Sequence, residues 1–101
     1  MRIESRRDGD VLMVALSGEL DLASAPDLER ELRVGEETSP GRLVIDLSGL
    51  GFMDSTGLQA LLRARERAHE AGYALSLRRG PHQVQRVFEL TKTVDAFTFD
   101  N

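Results

Sequence analysis

The sequence predicts an α/β domain: a mixed, mostly parallel sheet that opens with a β-hairpin and carries three helices. Three observations point to it. Asp8-Gly9 precedes the apolar run Val11–Leu16 and is a favoured two-residue turn pair, which signals a hairpin. Beyond the hairpin, segments of helical periodicity alternate with short apolar runs in the order β-β-α-β-α-β-α-β, which calls for right-handed crossovers between parallel strands. The 101 residues fit one domain, 1–101, with no internal repeat or linker. A chain of about 100 residues buries roughly two-thirds of its unfolded surface and can form an apolar core unaided.

The first strand, Arg2 to Arg7, alternates poorly. The second, Val11 to Ser17, is continuously apolar, as expected of a strand covered on both faces, and Gly18-Glu19-Leu20-Asp21 closes it. Ser24-Ala25-Pro26-Asp27 has the spacing of a capping box with Pro in the first turn, so a helix is expected from about Ala25 to Val34. Gly35 to Arg42 reads as a surface loop and Leu43 to Leu47 as a short buried strand. Ser55 to Ala71 reads as a second helix, ended by Gly72. Gly57, Leu61, Ala64, Ala68 and Ala71 fall on one narrow stripe, which would let this helix lie close to a sheet. Tyr73 to Leu77 is then a strand, Pro81 to Leu90 a third helix with Val84, Val87 and Phe88 inward, and Ala96 to Phe99 a last strand.

Composition narrows the function classes. Thirteen Lys plus Arg against 17 Asp plus Glu give a net charge of −4, which argues against direct nucleic-acid binding, since that work usually needs a basic stripe. Five scattered aromatics make no stacking platform. No apolar run is long enough to span a bilayer and the first residues do not open a signal peptide, so no membrane role is expected and the cytoplasm is the expected compartment. With no cysteine there is no thiol nucleophile and no Cys-based metal or cluster site, and two histidines 13 positions apart suggest no metal either. No cofactor is expected. Gly49-x-Gly51 lacks the third glycine of a dinucleotide fingerprint, and no phosphate-binding loop is present.

The segment Phe52-Met53-Asp54-Ser55-Thr56-Gly57-Leu58 draws attention. Asp54 or Ser55 could simply cap the second helix. The same geometry presents the Ser55 hydroxyl beside free N–H groups and a helix dipole that favour an incoming phosphate. Ser55, Leu58, Gln59, Leu62 and Glu66 share a stripe well away from the small-residue stripe, so Leu58 and Leu62 either extend a partner surface down the helix or lie under a neighbouring helix. Arg63, Arg65 and Arg67 with Glu66 and Glu70 read as a solvated face. A hydrolase built from Ser55 with His69 or His82 lacks a Gly-x-Ser-x-Gly elbow, and His69 lies about four turns down the helix.

Gly18-Glu19-Leu20-Asp21, then Ser24-Ala25-Pro26, Leu43 to Leu47 and Phe52 to Leu58, in this order and spacing, resemble the anti-sigma factor antagonist branch of the STAS domain family over nearly the whole chain. The resemblance implies a STAS-like single domain that is not an enzyme. Its unphosphorylated form would bind an anti-sigma factor that is also a serine kinase and so free a sigma factor; a serine phosphatase would reset it. Carried over by position, Ser55 is the phosphoacceptor, with Thr56 the lesser candidate. Asp54 is the aspartate beside the acceptor, and Asp21 matches an acidic residue near the kinase interface, although it could equally end a strand and cap the first helix. The predicted partner surface is therefore Asp21, Asp54, Thr56, Leu58 and Leu62. A STAS subunit regulating a transporter or a larger signalling assembly is the alternative within the fold. Where the family commonly has Leu-Thr-Gly-Leu, this chain has Leu90-Thr91-Lys92-Thr93, and it stops about where a further helix would begin.

Overall fold

A computed structural model describes residues 1–100. Strands β1 (Arg2–Asp8) and β2 (Val11–Leu20) form the predicted hairpin, followed by α1 (Ala25–Glu36), β3 (Arg42–Met53), α2 (Ser55–Ala71), β4 (Ala74–Arg78) and α3 (His82–Leu90), with a 3-10 turn at Val94–Ala96. The sheet order is β1-β2-β3-β4. β1 runs antiparallel to β2, whereas β2 with β3 and β3 with β4 are parallel, so the mixed, mostly parallel sheet is as the sequence predicts.

The core lies on one face of that sheet. Leu12, Val14 and Leu16 of β2 and Leu43, Ile45 and Leu47 of β3 meet Leu28 and Leu32 of α1, Leu58 and Leu61 of α2, and Val84 and Phe88 of α3. Phe88 packs edge-on against Phe97 and Phe99, with centroids 5.5 and 5.3 Å away. Among the described residues the other face carries no helix. Val11 and Met13 are half-buried there and Ala15 is exposed, so β2 is covered on one face only, despite its continuous apolar run. Val44 and Ser76 stay buried on that side. Above Ser76, Arg42 Nη2 donates to Ser76 Oγ and Ser76 Oγ donates to Asp100, with Arg42 and Asp100 also paired.

Several local expectations change. The hairpin turn is Gly9-Asp10 rather than Asp8-Gly9, because Asp8 pairs with Val11, and only Gly9 takes a positive φ, 59°. The capping box does not form: the Ser24 hydroxyl donates to Glu19 O (2.8 Å) and accepts from Asp21 N (2.9 Å), leaving α1 without a side-chain cap. Gly35 belongs to α1, and β3 runs on to Met53 through Gly49 and Gly51, with register shifts against β2. The last strand reduces to a single parallel bridge, Leu77 with Phe99, after the 3-10 turn. Lys92, which stands where the resembled family carries Gly, has φ 59°, a left-handed conformation that glycine adopts without a Cβ clash.

Candidate functional site

β2 and β3 end side by side, their last pair being Leu20 with Met53. Asp21 and Asp54 follow directly, so both predicted acids come to the carboxyl ends of adjacent parallel strands, where α/β sheets place their sites. Asp54 N donates to Leu20 O (3.2 Å), which ties the two chain exits together.

Asp54 is extended (φ −107°, ψ −176°), and its Oδ1 accepts from Gly57 N at 3.0 Å, capping α2. The capping reading thus falls on Asp54, which leaves the Ser55 hydroxyl free. Ser55 is the first residue of α2 and is exposed. Gly57 allows this arrangement: a Cβ there would lie 2.6 Å from Leu20 Cγ and 2.8 Å from Leu20 O, so any larger residue would push the first turn off the sheet. Among the described residues no acceptor takes the N–H groups of Ser55 or Thr56. The turn therefore offers a hydroxyl, open N–H groups and the positive end of the α2 dipole at one point of the surface.

Asp21 is half-buried and engaged locally. Its Oδ1 accepts from Ala23 N (3.0 Å), Ser24 N (3.1 Å) and Ser24 Oγ (3.2 Å), which shapes the turn into α1. Thr56 is half-buried and lines a groove of about 450 Å³ between α1 and α2, with Leu22, Pro26, Glu29, Arg33 and Arg63. Leu22 is 72% exposed and Phe52 46% exposed. The sequence named Phe52 only as part of the segment that runs to Leu58 and did not name Leu22 as a candidate; what exposes each is the tertiary packing.

Two predicted partner residues turn inward. Leu58 is 2% exposed and belongs to the core, and Leu62 is half-buried and packs against it. Leu58 and Leu62 lie under neighbouring elements, because α2 touches α1 and α3 as well as the sheet, whereas Ser55, Gln59 and Glu66 of the same stripe are exposed. Partner contacts down that stripe are therefore not available to Leu58. The supposed solvated face also changes. Arg67 is 19% exposed and makes a two-pronged pair with Glu36 (2.8 and 3.0 Å), and Arg63 Nε meets Glu29 Oε2 at 3.0 Å. The hydrogen bond to Glu36 holds the Arg67 pKa above its ordinary value, so this cation is fixed. Near the same end, burial raises the Tyr73 phenol above its usual range, with the Glu36 carboxylate adding to the effect. His69 is exposed about 21 Å along the helix from Ser55, at 1.5 Å per residue over 14 residues, so no triad assembles on that pair.

The family model described as "Mlab, STAS domain" matches residues 3–94. The anti-sigma-B factor antagonist of Listeria monocytogenes is 30% identical over 95 residues, covering 94% of this chain and 83% of the relative. The chain belongs to the STAS-domain family of anti-sigma factor antagonists. An anti-sigma factor antagonist from Mycobacterium paratuberculosis, known from a crystal structure, superimposes with a TM-score of 0.84 at 29% identity, over 97% of this chain and 83% of that one. SpoIIAA shares the fold in both its unphosphorylated and phosphorylated forms, at TM-scores of 0.83 and 0.75, identities of 16% and 15%, and coverage of 99% of this chain and 89% and 92% of those chains. Among the described residues of this STAS domain no helix is long and apolar enough to cross a membrane.

Proposed function

We propose that this protein is an anti-sigma factor antagonist switched by phosphorylation of Ser55. Unphosphorylated, it binds an anti-sigma factor that is also a serine kinase and frees the sigma factor; phosphorylated, it lets go, and a serine phosphatase restores it. The observation that carries the reading is the exposed Ser55 hydroxyl at the first position of α2, held out by an Asp54 cap that does not use it.

The physics of the switch follows from that position. A phosphate adds about −1.5 to −2 charge at neutral pH, taking the chain from −4 to roughly −6. At its own helix N-terminus the phosphate favours the helix by about 0.3 to 1 kcal/mol, so the domain stays folded. The effect falls on the partner surface, where a dianion must be desolvated beside Asp54 and close to Asp21 and their negative charge. That surface comprises Ser55, Thr56 and Asp21, together with exposed Leu22 and Phe52 as its apolar contacts. A match to SpoIIAA in both phosphorylation states supports a fold that tolerates the modification.

Incubation with an anti-sigma kinase from the same source and ATP, followed by intact mass and site mapping, tests the reading. One phosphate on Ser55 is expected, absent in Ser55→Ala, with binding to the kinase weakened at least tenfold once Ser55 is modified. A kinase that binds the protein but leaves Ser55 unmodified would refute the switch, as would a phosphorylated protein that had lost its circular dichroism.

A further inference from the structure

The outer edge of the sheet takes no part in the site. β1 pairs with β2 on one side and, among the described residues, with no strand on the other. Six of its seven residues are exposed, and Ile3 is half-buried. Because Asp8 and Val11 flank a two-residue turn, they face each other as a hydrogen-bonded pair, and antiparallel pairs alternate from there. The main-chain groups of Arg2, Glu4, Arg6 and Asp8 thus point to β2, and those of Ile3, Ser5 and Arg7 point outward to the open edge.

The side chains on the helix-free face of β1 are Arg2, Glu4, Arg6 and Asp8, the strand partners of Ser17, Ala15, Met13 and Val11. Their charges alternate plus, minus, plus, minus. Reversed, the series reads minus, plus, minus, plus. We infer that β1 is a self-pairing edge that takes a second copy of this chain antiparallel, with Ser5 opposite Ser5, joining two four-stranded sheets into one across a two-fold axis.

In that register Arg2 lies opposite Asp8 and Glu4 opposite Arg6, in both halves. The outward groups also meet: Ile3 faces Arg7 twice and Ser5 faces itself, each pair exchanging two main-chain hydrogen bonds. The charged pairs then occupy the positions between, where side chains approach most closely. Outward groups meet only if the register slips by two residues at a time. One slip sets Arg2 against Arg6 and Glu4 against Glu4; the other sets Glu4 against Asp8 and Arg6 against Arg6. Charges on an edge strand usually prevent pairing. Here they forbid the neighbouring registers and admit the central one. Within the chain, Arg2 has only an exposed 3.5 Å contact with Glu4, and among the described residues Arg6 and Asp8 form no ion pair, so these charges are free for a second copy. The contact is isologous, so it closes at two copies. Asp54 and Ser55 follow β3, two strands in from this edge, and remain accessible.

Sedimentation equilibrium of the full chain at low and high salt tests the inference. A concentration-dependent dimer is expected at low salt, weakening as salt is added. Arg6→Glu and Glu4→Arg should each be monomeric with unchanged circular dichroism, and mixing the two variants should restore a dimer, because each supplies the charge the other lacks. Ser5→Pro gives an independent check: its N–H points away from β2, so proline removes no hydrogen bond within the chain but blocks the pairing at the two-fold. A wild-type chain that stays monomeric at low salt overturns the inference. So does a dimer that survives either charge reversal or Ser5→Pro, or folded Arg6→Glu and Glu4→Arg chains that fail to pair on mixing.

Discussion

The two ends of α2 are held in different ways. At the N-terminal end one side-chain bond, accepted by Asp54 from Gly57 N, closes the first turn, and Ser55 is exposed to solvent. Toward the other end, Arg63 and Arg67 reach across to Glu29 and Glu36 of α1, and Gly72 ends the helix with its N–H on Ala68 O. The contrast separates two tasks within one helix. The far end fixes the helix against its neighbour, and the near end can then carry a modification without support from surrounding side chains.

Substitutions along α2 sharpen that contrast, beginning with the largest effect. Leu58 is on the inward side of the first turns, so Leu58→Ala should cost about 2 to 5 kcal/mol in denaturant unfolding, as a buried leucine does. A loss below about 1 kcal/mol, with partner binding reduced instead, would return Leu58 to the surface and break the division. Arg67→Ala removes the two-pronged pair and leaves Glu36 without its counter-charge. About 1 to 2 kcal/mol of stability should go, less than for a fully buried pair because solvent still reaches this one, and binding of the proposed kinase partner by the folded fraction should not change.

At the near end the expectation reverses. Asp54→Ala should cost only about 1 kcal/mol by loss of the cap, and Asp54→Asn a few tenths, since asparagine caps as well. Both should alter binding of the proposed kinase partner, or the proposed phosphorylation of Ser55, by more than those stability losses explain; titration calorimetry and phosphorylation rates check this. The smallest effect concerns Tyr73, whose hydroxyl is buried and, among the described residues, has no hydrogen-bond partner. Its folded pKa is raised above the ordinary value of about 10, chiefly by burial. The stability linked to the neutral phenol is therefore intact below about pH 10 and is lost as pH climbs through the raised folded value. As the only tyrosine, it can be followed by phenolate absorbance. The native midpoint should lie above that of the denatured chain, and Tyr73→Phe should remove this alkaline loss without lowering stability at pH 7, because it takes away a buried hydroxyl that, among the described residues, has no partner.

Legibility followed the range of the interactions. The bounds of α2 were readable because both are local: Asp54 caps one end and Gly72 occupies the left-handed position, φ 82°, at the other. The exposure of Ser55 follows from the same short segment. For Leu58 the sequence left a partner surface and cover by a neighbouring element both open, because a helical wheel allots one packing face; this helix meets α1, α3 and the sheet, which widens the buried arc and selects the second. The apolar run of β2 suggested cover on both faces, yet all three helices pack on the same side. Ser24 had the spacing of a capping box, but the turn held by Asp21 offered its hydroxyl nearer partners in Glu19 O and Asp21 N.

By itself, then, the sequence determined what depends on near neighbours along the chain: the hairpin, the alternation of strands and helices, the parallel character of the sheet, and the placing of Ser55 on the first turn of α2 after Asp54. Tertiary structure decided which residues face outward and which cations are paired. Arg67 and Glu36 are 31 residues apart, and no periodicity within either helix shows that they meet. Whether an apolar or charged side chain is buried depends on what the rest of the fold lays over it, and that is fixed only when distant segments pack.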